Sequence, residues 1–142
     1  MKQGTGKSPL KAVLDTNILI SALVYGGKPE QVYNLVLEKQ IIAVTSNILL
    51  AELLEHLIKS FHFEQKRIGQ LERIIKKHFI VVHPKEIIKV IRDEDDDRVL
   101  EAAAAGNCDY IITGDNDLLE LKSYQDIKIV TAEEFLNLLK TN

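Results

Sequence analysis

At 142 residues, 46% of them hydrophobic and 27% charged, the chain is long enough to bury a core of its own and too apolar to be disordered. Its one cysteine, Cys108, excludes an intramolecular disulfide framework, and its apolar neighbours mark it as a buried small residue and not a nucleophile. A net charge of −3, no run of 18 apolar residues and no apolar signal core speak against a membrane protein and lead us to expect a cytoplasmic one.

Residues 1–9 are polar and glycine-containing, and read as a flexible arm ahead of a single domain over 10–142. The arm holds Gly4-Thr5-Gly6-Lys7-Ser8, which is not a phosphate loop: the spacing is wrong and no strand precedes it. Lys11 to Leu14 reads as a short strand ending at Asp15. Ile18 to Tyr25 reads as a helix stopped by Gly26-Gly27, and Pro29 sits in the first turn of a second helix running to about Lys39. Ile41 to Thr45 is β-branched and short, a buried strand. Ser46 can cap the next helix, whose Leu49, Leu50, Leu53, Leu54 and Leu57 form an apolar stripe with Glu52 off its centre. Phe63 to His78 reads as a basic amphipathic helix with Ile68, Leu71, Ile74 and Ile75 inward, and Phe79 to Val82 as a strand ended by His83-Pro84. The periodicity of Ile87 to Ile91 assigns no state. The acidic run Asp93-Glu94-Asp95-Asp96-Asp97 then caps a helix from about Arg98 to Ala105, closed by Gly106. Tyr110 to Thr113 and Lys128 to Val130 are the remaining strands, and Thr131-Ala132-Glu133-Glu134 is a capping box for the final helix.

Strands alternating with helices predict an α/β fold with a parallel sheet and helices on both faces. Ligands of such sheets sit beyond the carboxyl ends of the strands. Asp15 and Asp115 fall there, and the start of the helix after the acidic run is expected there too. Carboxylates gathered in one place repel each other and need a cation. Oxygen ligands with room for water favour Mg²⁺ or Mn²⁺, and such a centre most often hydrolyses phosphodiesters. The alternation of Asp93, Asp95 and Asp97 suggests a calcium loop, but Arg98 and Ala104 stand where an EF-hand has Gly and Glu. His56, His62, His78 and His83 lack zinc-helix spacing. A phosphorelay receiver would place a Lys after the last strand, where Thr131-Ala132-Glu133 stands; an aspartyl-nucleophile phosphatase would place Asp where Asn17 stands.

Charge is unevenly spread. From His56 to Arg92 nine basic residues face three acids, a local +6, and the rest of the chain carries −9. A basic region beside an acidic pocket suits a polyanion whose phosphate meets bound cations, although such lysines equally serve to solvate two helices. Lys59, Lys66, Arg67, Arg73, Lys76 and Lys77 are the candidate contacts. Aromatic platforms for single strands are few: Tyr25, Tyr33, Phe61, Phe63 and Tyr124.

Leu14-Asp15-Thr16-Asn17, then Ser46 with Glu52, then Asp93-Glu94-Asp95-Asp96, then Thr113-Gly114-Asp115-Asn116-Asp117-Leu118 resemble, in this order, the motifs of the PIN domain, and within it the toxin components related to VapC. The resemblance spans Lys11 to about Leu139. It implies a three-layer α/β/α sandwich with a mostly parallel sheet, and a Mg²⁺- or Mn²⁺-dependent ribonuclease acting as the toxin of a toxin–antitoxin pair. Asp15, Glu52, Asp96 and Asp115 match the family's acids, with Asp117 a further one. Asp97 is the alternative to Asp96, and Asp93 resembles an acid recurring in the subgroup. Thr16, Asn17 and Thr113 resemble its polar supports. The subgroup usually has Pro where Glu94 stands. Implied too are in-line hydrolysis of RNA by a metal-held water, leaving a 5′-phosphate and a 3′-hydroxyl, a homodimer, and inhibition by a cognate antitoxin. A non-catalytic RNA- or protein-binding module of the same fold is the alternative, though none of its acids is lost.

Overall fold

The structure is a computed structural model that describes residues 9–91 and 93–141. Apart from Pro9, the expected N-terminal arm lies outside the described residues. The elements run β1 (Lys11–Leu14), α1 (Thr16–Val24), α2 (Gly27–Leu37), β2 (Ile42–Ser46), α3 (Asn47–Phe61), α4 (Gln65–His78), β3 (Phe79–Val82), α5 (Glu94–Ala105), β4 (Tyr110–Ile112), α6 (Asn116–Leu121), β5 (Ser123–Tyr124), β6 (Ile127–Val130) and α7 (Ala132–Lys140). One six-stranded sheet has the order β3-β2-β1-β4-β6-β5, parallel except for β5 against β6. The chain builds outward from β1 through β2 to β3, then returns to the other side of β1 with β4. That reversal makes the carboxyl end of the β1–β4 pair a topological switch point, where open sheets of this kind hold their ligands.

The short strands are apolar on both sides because both sheet faces are covered. Ala12, Leu14, Ala43 and Ile112 join a core with α1, α2, α3, α4 and α7, while Val13, Val44, Ile111 and Ile129 join a second with α5 and α6. The result is the three-layer α/β/α sandwich. Ser46 caps α3 by accepting from the Leu49 N–H at 3.1 Å, and Thr131 and Glu134 form the capping box of α7. Gly106 closes α5 against β2, where a Cβ would stand 2.9 Å from Val44 Cγ1. Among the described residues, no helix is long and apolar enough to cross a membrane.

Two local expectations change, and two further segments gain an assignment the sequence did not supply. Ile74, read as inward, is exposed on α4, whose buried side is carried by Leu71 and Ile75. α5 starts at Glu94, not Arg98, so most of the acidic run lies in its first turn, with the Asp93 carboxylate accepting from the Asp95 N–H at 2.9 Å. α6 and the small strand β5 had no counterpart in the sequence reading. Residues 87–91 form neither helix nor strand; a strap, they are held to α5 by side chains.

Candidate metal centre

In the parallel pair β1–β4, Leu14 lies opposite Ile112, so the next residues, Asp15 and Thr113, come together at the strand ends. The buried Thr113 hydroxyl donates to Asp15 Oδ2 at 2.7 Å and accepts from the Asp115 N–H at 3.0 Å. One hydroxyl thus fixes two acids from neighbouring strands. Asp115 in turn caps α6, its Oδ1 accepting from the N–H groups of Asp117 at 2.8 Å and Leu118 at 3.3 Å. Thr16 and Asn17, half-buried and exposed, begin α1 directly after Asp15.

α5 brings the third contribution. Asp96, buried in its first turn, has one carboxylate oxygen for which no hydrogen-bond partner exists among the described residues. Carboxylate oxygens of Asp96, Asp115 and Asp117 lie within 4.8 Å of one another. Asp15 is outside that trio but close enough for its charge to act on Asp96. Burial pushes the Asp96 carboxyl up to about 7, and the charges of Asp115, Asp93 and Asp15 add to the rise. Burial likewise raises Asp15, with the Asp115 charge assisting and the Thr113 hydrogen bond opposing.

Glu52 reaches the site from α3, half-buried one and a half turns beyond the Ser46 cap. Burial raises its carboxyl, reinforced by the charges of Asp95, Asp15 and Asp93 and opposed by the Arg98 guanidinium. Asp95 and Arg98 therefore belong to the electrostatics of this centre, and neither was singled out from the sequence. Their signal was present in the helical period, since the two lie three apart and so share a face of α5.

Asp97 faces elsewhere. Its buried Oδ1 accepts from the N–H groups of Val90 at 3.0 Å and Ile91 at 2.8 Å. One turn on, buried Glu101 accepts from the Ile88 N–H at 2.9 Å and pairs with Arg98 at 2.6 Å. These two carboxylates tether the strap. The carboxylate that approaches Asp115 and Asp117 is that of Asp96.

The basic candidates are dispersed on the α3–α4 hairpin. Lys59 pairs with Glu55 and Lys76 with Glu72, while the Arg67 guanidinium lies 3.8 Å above the Phe63 ring. Lys66, Arg73 and Lys77 are exposed and form no ion pair among the described residues. Cys108 is buried, and its thiol is pushed up to about 12, as befits a core residue.

A cation fits the donors present: hard oxygens, mutually repelling, one of them buried without a partner among the described residues.

Comparison with known proteins places the chain. It is 29% identical over 143 residues to the uncharacterized protein MJ1680 of Methanocaldococcus jannaschii, covering 92% of each. Its fold is similar to VapBC2 from Rickettsia felis bound to a DNA fragment from its promoter (TM-score 0.59, 16% identity, 84% of this chain and 97% of that one). It is similar also to PAE2754 from Pyrobaculum aerophilum (TM-score 0.58, 15% identity, 97% and 94%) and to FitAcB from Neisseria gonorrhoeae (TM-score 0.54, 12% identity, 86% and 98%). The PIN domain profile matches residues 11–117, and the chain belongs to the PIN domain family.

Proposed function

We propose that this chain is a metal-dependent endoribonuclease, a VapC-like toxin whose residues 10–142 act as one nuclease domain in the cytoplasm. The observation that carries the reading is the convergence of Asp96, Asp115 and Asp117 at the carboxyl end of the sheet, with a buried Asp96 oxygen that no group among the described residues satisfies. Asp15, Glu52, Asp96, Asp115 and Asp117 would hold Mg²⁺ or Mn²⁺. Bound there, the cation acidifies water and offsets charge on the leaving oxygen. Thr113 keeps Asp15 and Asp115 oriented through its single hydroxyl, and the backbone N–H groups of Thr16 and Asn17 support the Asp15 carboxylate. Asp93 adds negative potential that strengthens the demand for a cation, while Asp97 anchors the strap and not the metal. Glu52, brought from α3 into the field of the same acids, would complete the metal site directly or through water. In-line attack leaves a 5′-phosphate and a 3′-hydroxyl.

The VapBC2 neighbour supports a cognate antitoxin as partner, and we extend the reading to a homodimer. Lys59, Lys66, Arg67, Arg73, Lys76 and Lys77 supply the basic surface for RNA. The test is cleavage of an end-labelled single-stranded RNA with Mg²⁺, with Mn²⁺ and with chelator. We expect cutting that requires metal and falls on the order of 100-fold or more in both Asp15→Asn and Asp96→Asn. A folded, antitoxin-free protein that binds RNA but cuts none with either metal would leave the non-catalytic binding module as the function.

A further inference from the structure

Beside the candidate metal centre, the strap and α6 flank an open cleft of about 350 Å³ lined by Val90, Ile91, Asp117, Glu120 and Leu121. Asp117 belongs at once to this cleft and to the trio of acids. From this arrangement we infer that the cleft is a nucleobase subsite, taking guanine from a nucleotide next to the scissile phosphate, with Glu120 as the residue that reads it. The inference rests on the nuclease reading above and names the base that reading leaves open.

The chemistry of the lining selects the ligand. Val90 and Ile91 on one side and Leu121 on the other are apolar surfaces against which a flat ring can lie. The strap offers the cleft no donor from the Val90 and Ile91 N–H groups, because both are already given to Asp97. The polar side chains of the lining are therefore two carboxylates, which when ionised only accept hydrogen bonds. With Asp117 turned to the cation, exposed Glu120 remains. A carboxylate has two parallel acceptors, and guanine alone among the RNA bases presents two adjacent donors, N1–H and N2–H, on its pairing edge. Adenine and cytosine place a ring acceptor beside their amino group, and uracil flanks its one N–H with carbonyls; each would meet Glu120 with a repelling lone pair. The wall is also held in place beforehand: Asp97 and Glu101 fix the strap through three backbone donors, so ordering it costs little on binding.

The test is methyl NMR of the full chain in Mg²⁺, titrated separately with guanosine 5′-monophosphate, uridine 5′-monophosphate and argininamide. Saturable shifts at the Val90, Ile91 and Leu121 methyls with the guanine nucleotide, roughly ten-fold tighter than with the uracil one, are expected. Glu120→Gln, its spectrum otherwise superposable on wild type, should erase that preference, since an amide offers one acceptor and one donor. Equal response to both nucleotides, no response at these methyls, or a response to argininamide alone would overturn the subsite; the last would make it a docking point for a peptide cation. Cleavage of RNA in the assay above without these shifts would sink the subsite alone. Shifts as expected from a protein that cuts no RNA would sink the nuclease and leave a guanine site.

Discussion

Asp96 carries the most information of any single side chain, because its environment is costly for an ionised carboxylate. Its carboxyl is pushed from the ordinary 3.8 to about 7 by burial and by the charges of Asp115, Asp93 and Asp15. Between those two values the folded chain keeps a proton that the unfolded chain has released. Stability from this group is therefore full below the unfolded value and is lost as pH rises through about 7. Metal-free wild type should be less stable at pH 8 than at pH 5, by on the order of 3 kcal/mol from Asp96. Asp15 and Glu52, both raised, act in the same direction. Mg²⁺ or Mn²⁺ should restore stability at pH 8 by binding the ionised cluster. Asp96→Asn should flatten the pH dependence, raise the metal-free stability at pH 8 and lose most of the gain from metal. Urea unfolding at the two pH values, with and without cation, measures all of this. A variant that still gained full stability from metal would remove Asp96 from the ligand set.

At the scale of elements, α5 sorts its acids by face. Asp93 and Asp96, three apart, act on the acidic site, while Asp97 and Glu101, four apart, hold the strap. Asp97→Asn keeps the shape but leaves Val90 and Ile91 with a weaker, uncharged acceptor. We expect a loss of about 1–2 kcal/mol and faster amide exchange confined to residues 88–91, with metal binding retained. Hydrogen-exchange mass spectrometry and a Mn²⁺ titration check the two halves; lost metal binding with an intact strap would return Asp97 to the metal centre. The sequence held this division in its period, yet starting the helix at Arg98 hid it, because only a helix from Glu94 groups Asp93 with Asp96 and Asp97 with Glu101. The parallel strands and the caps at Ser46 and Thr131 were legible because each rests on a few neighbouring residues. The β5–β6 hairpin was not: its turn residues Gln125 and Asp126 both take positive φ, at 48° and 67°, without the Asn-Gly pair that announces such turns. The strap was illegible for a different reason, since carboxylates six to thirteen residues away, and not local propensity, set its path.

Over the whole molecule, the acids at the sheet end and the net charge of −3 would work against the proposed RNA substrate, whose approach would then rely on local positive charge. The ion pairs divide the basic residues: Lys59 and Lys76 are engaged by glutamates, whereas Lys66, Arg73 and Lys77 repeat at helical spacing on the exposed side of α4. Arg73 and Lys77 border a shallow depression with Gln70 and the exposed Ile74. Each phosphate neutralised on a single strand contributes about 0.7 to the slope of log affinity against log salt. Replacing Lys66, Arg73 and Lys77 together by Gln should therefore lower that slope by about 2 and weaken binding to all sequences alike. Thermal stability and Mn²⁺ affinity should stay at wild-type values, because these side chains touch neither core nor metal centre. Fluorescence anisotropy with a labelled single-stranded RNA between low and physiological salt gives the slope directly. An unchanged slope would mean that the positive face only solvates α4, and that RNA reaches the acids by another route, with the bound cation itself supplying the first attraction.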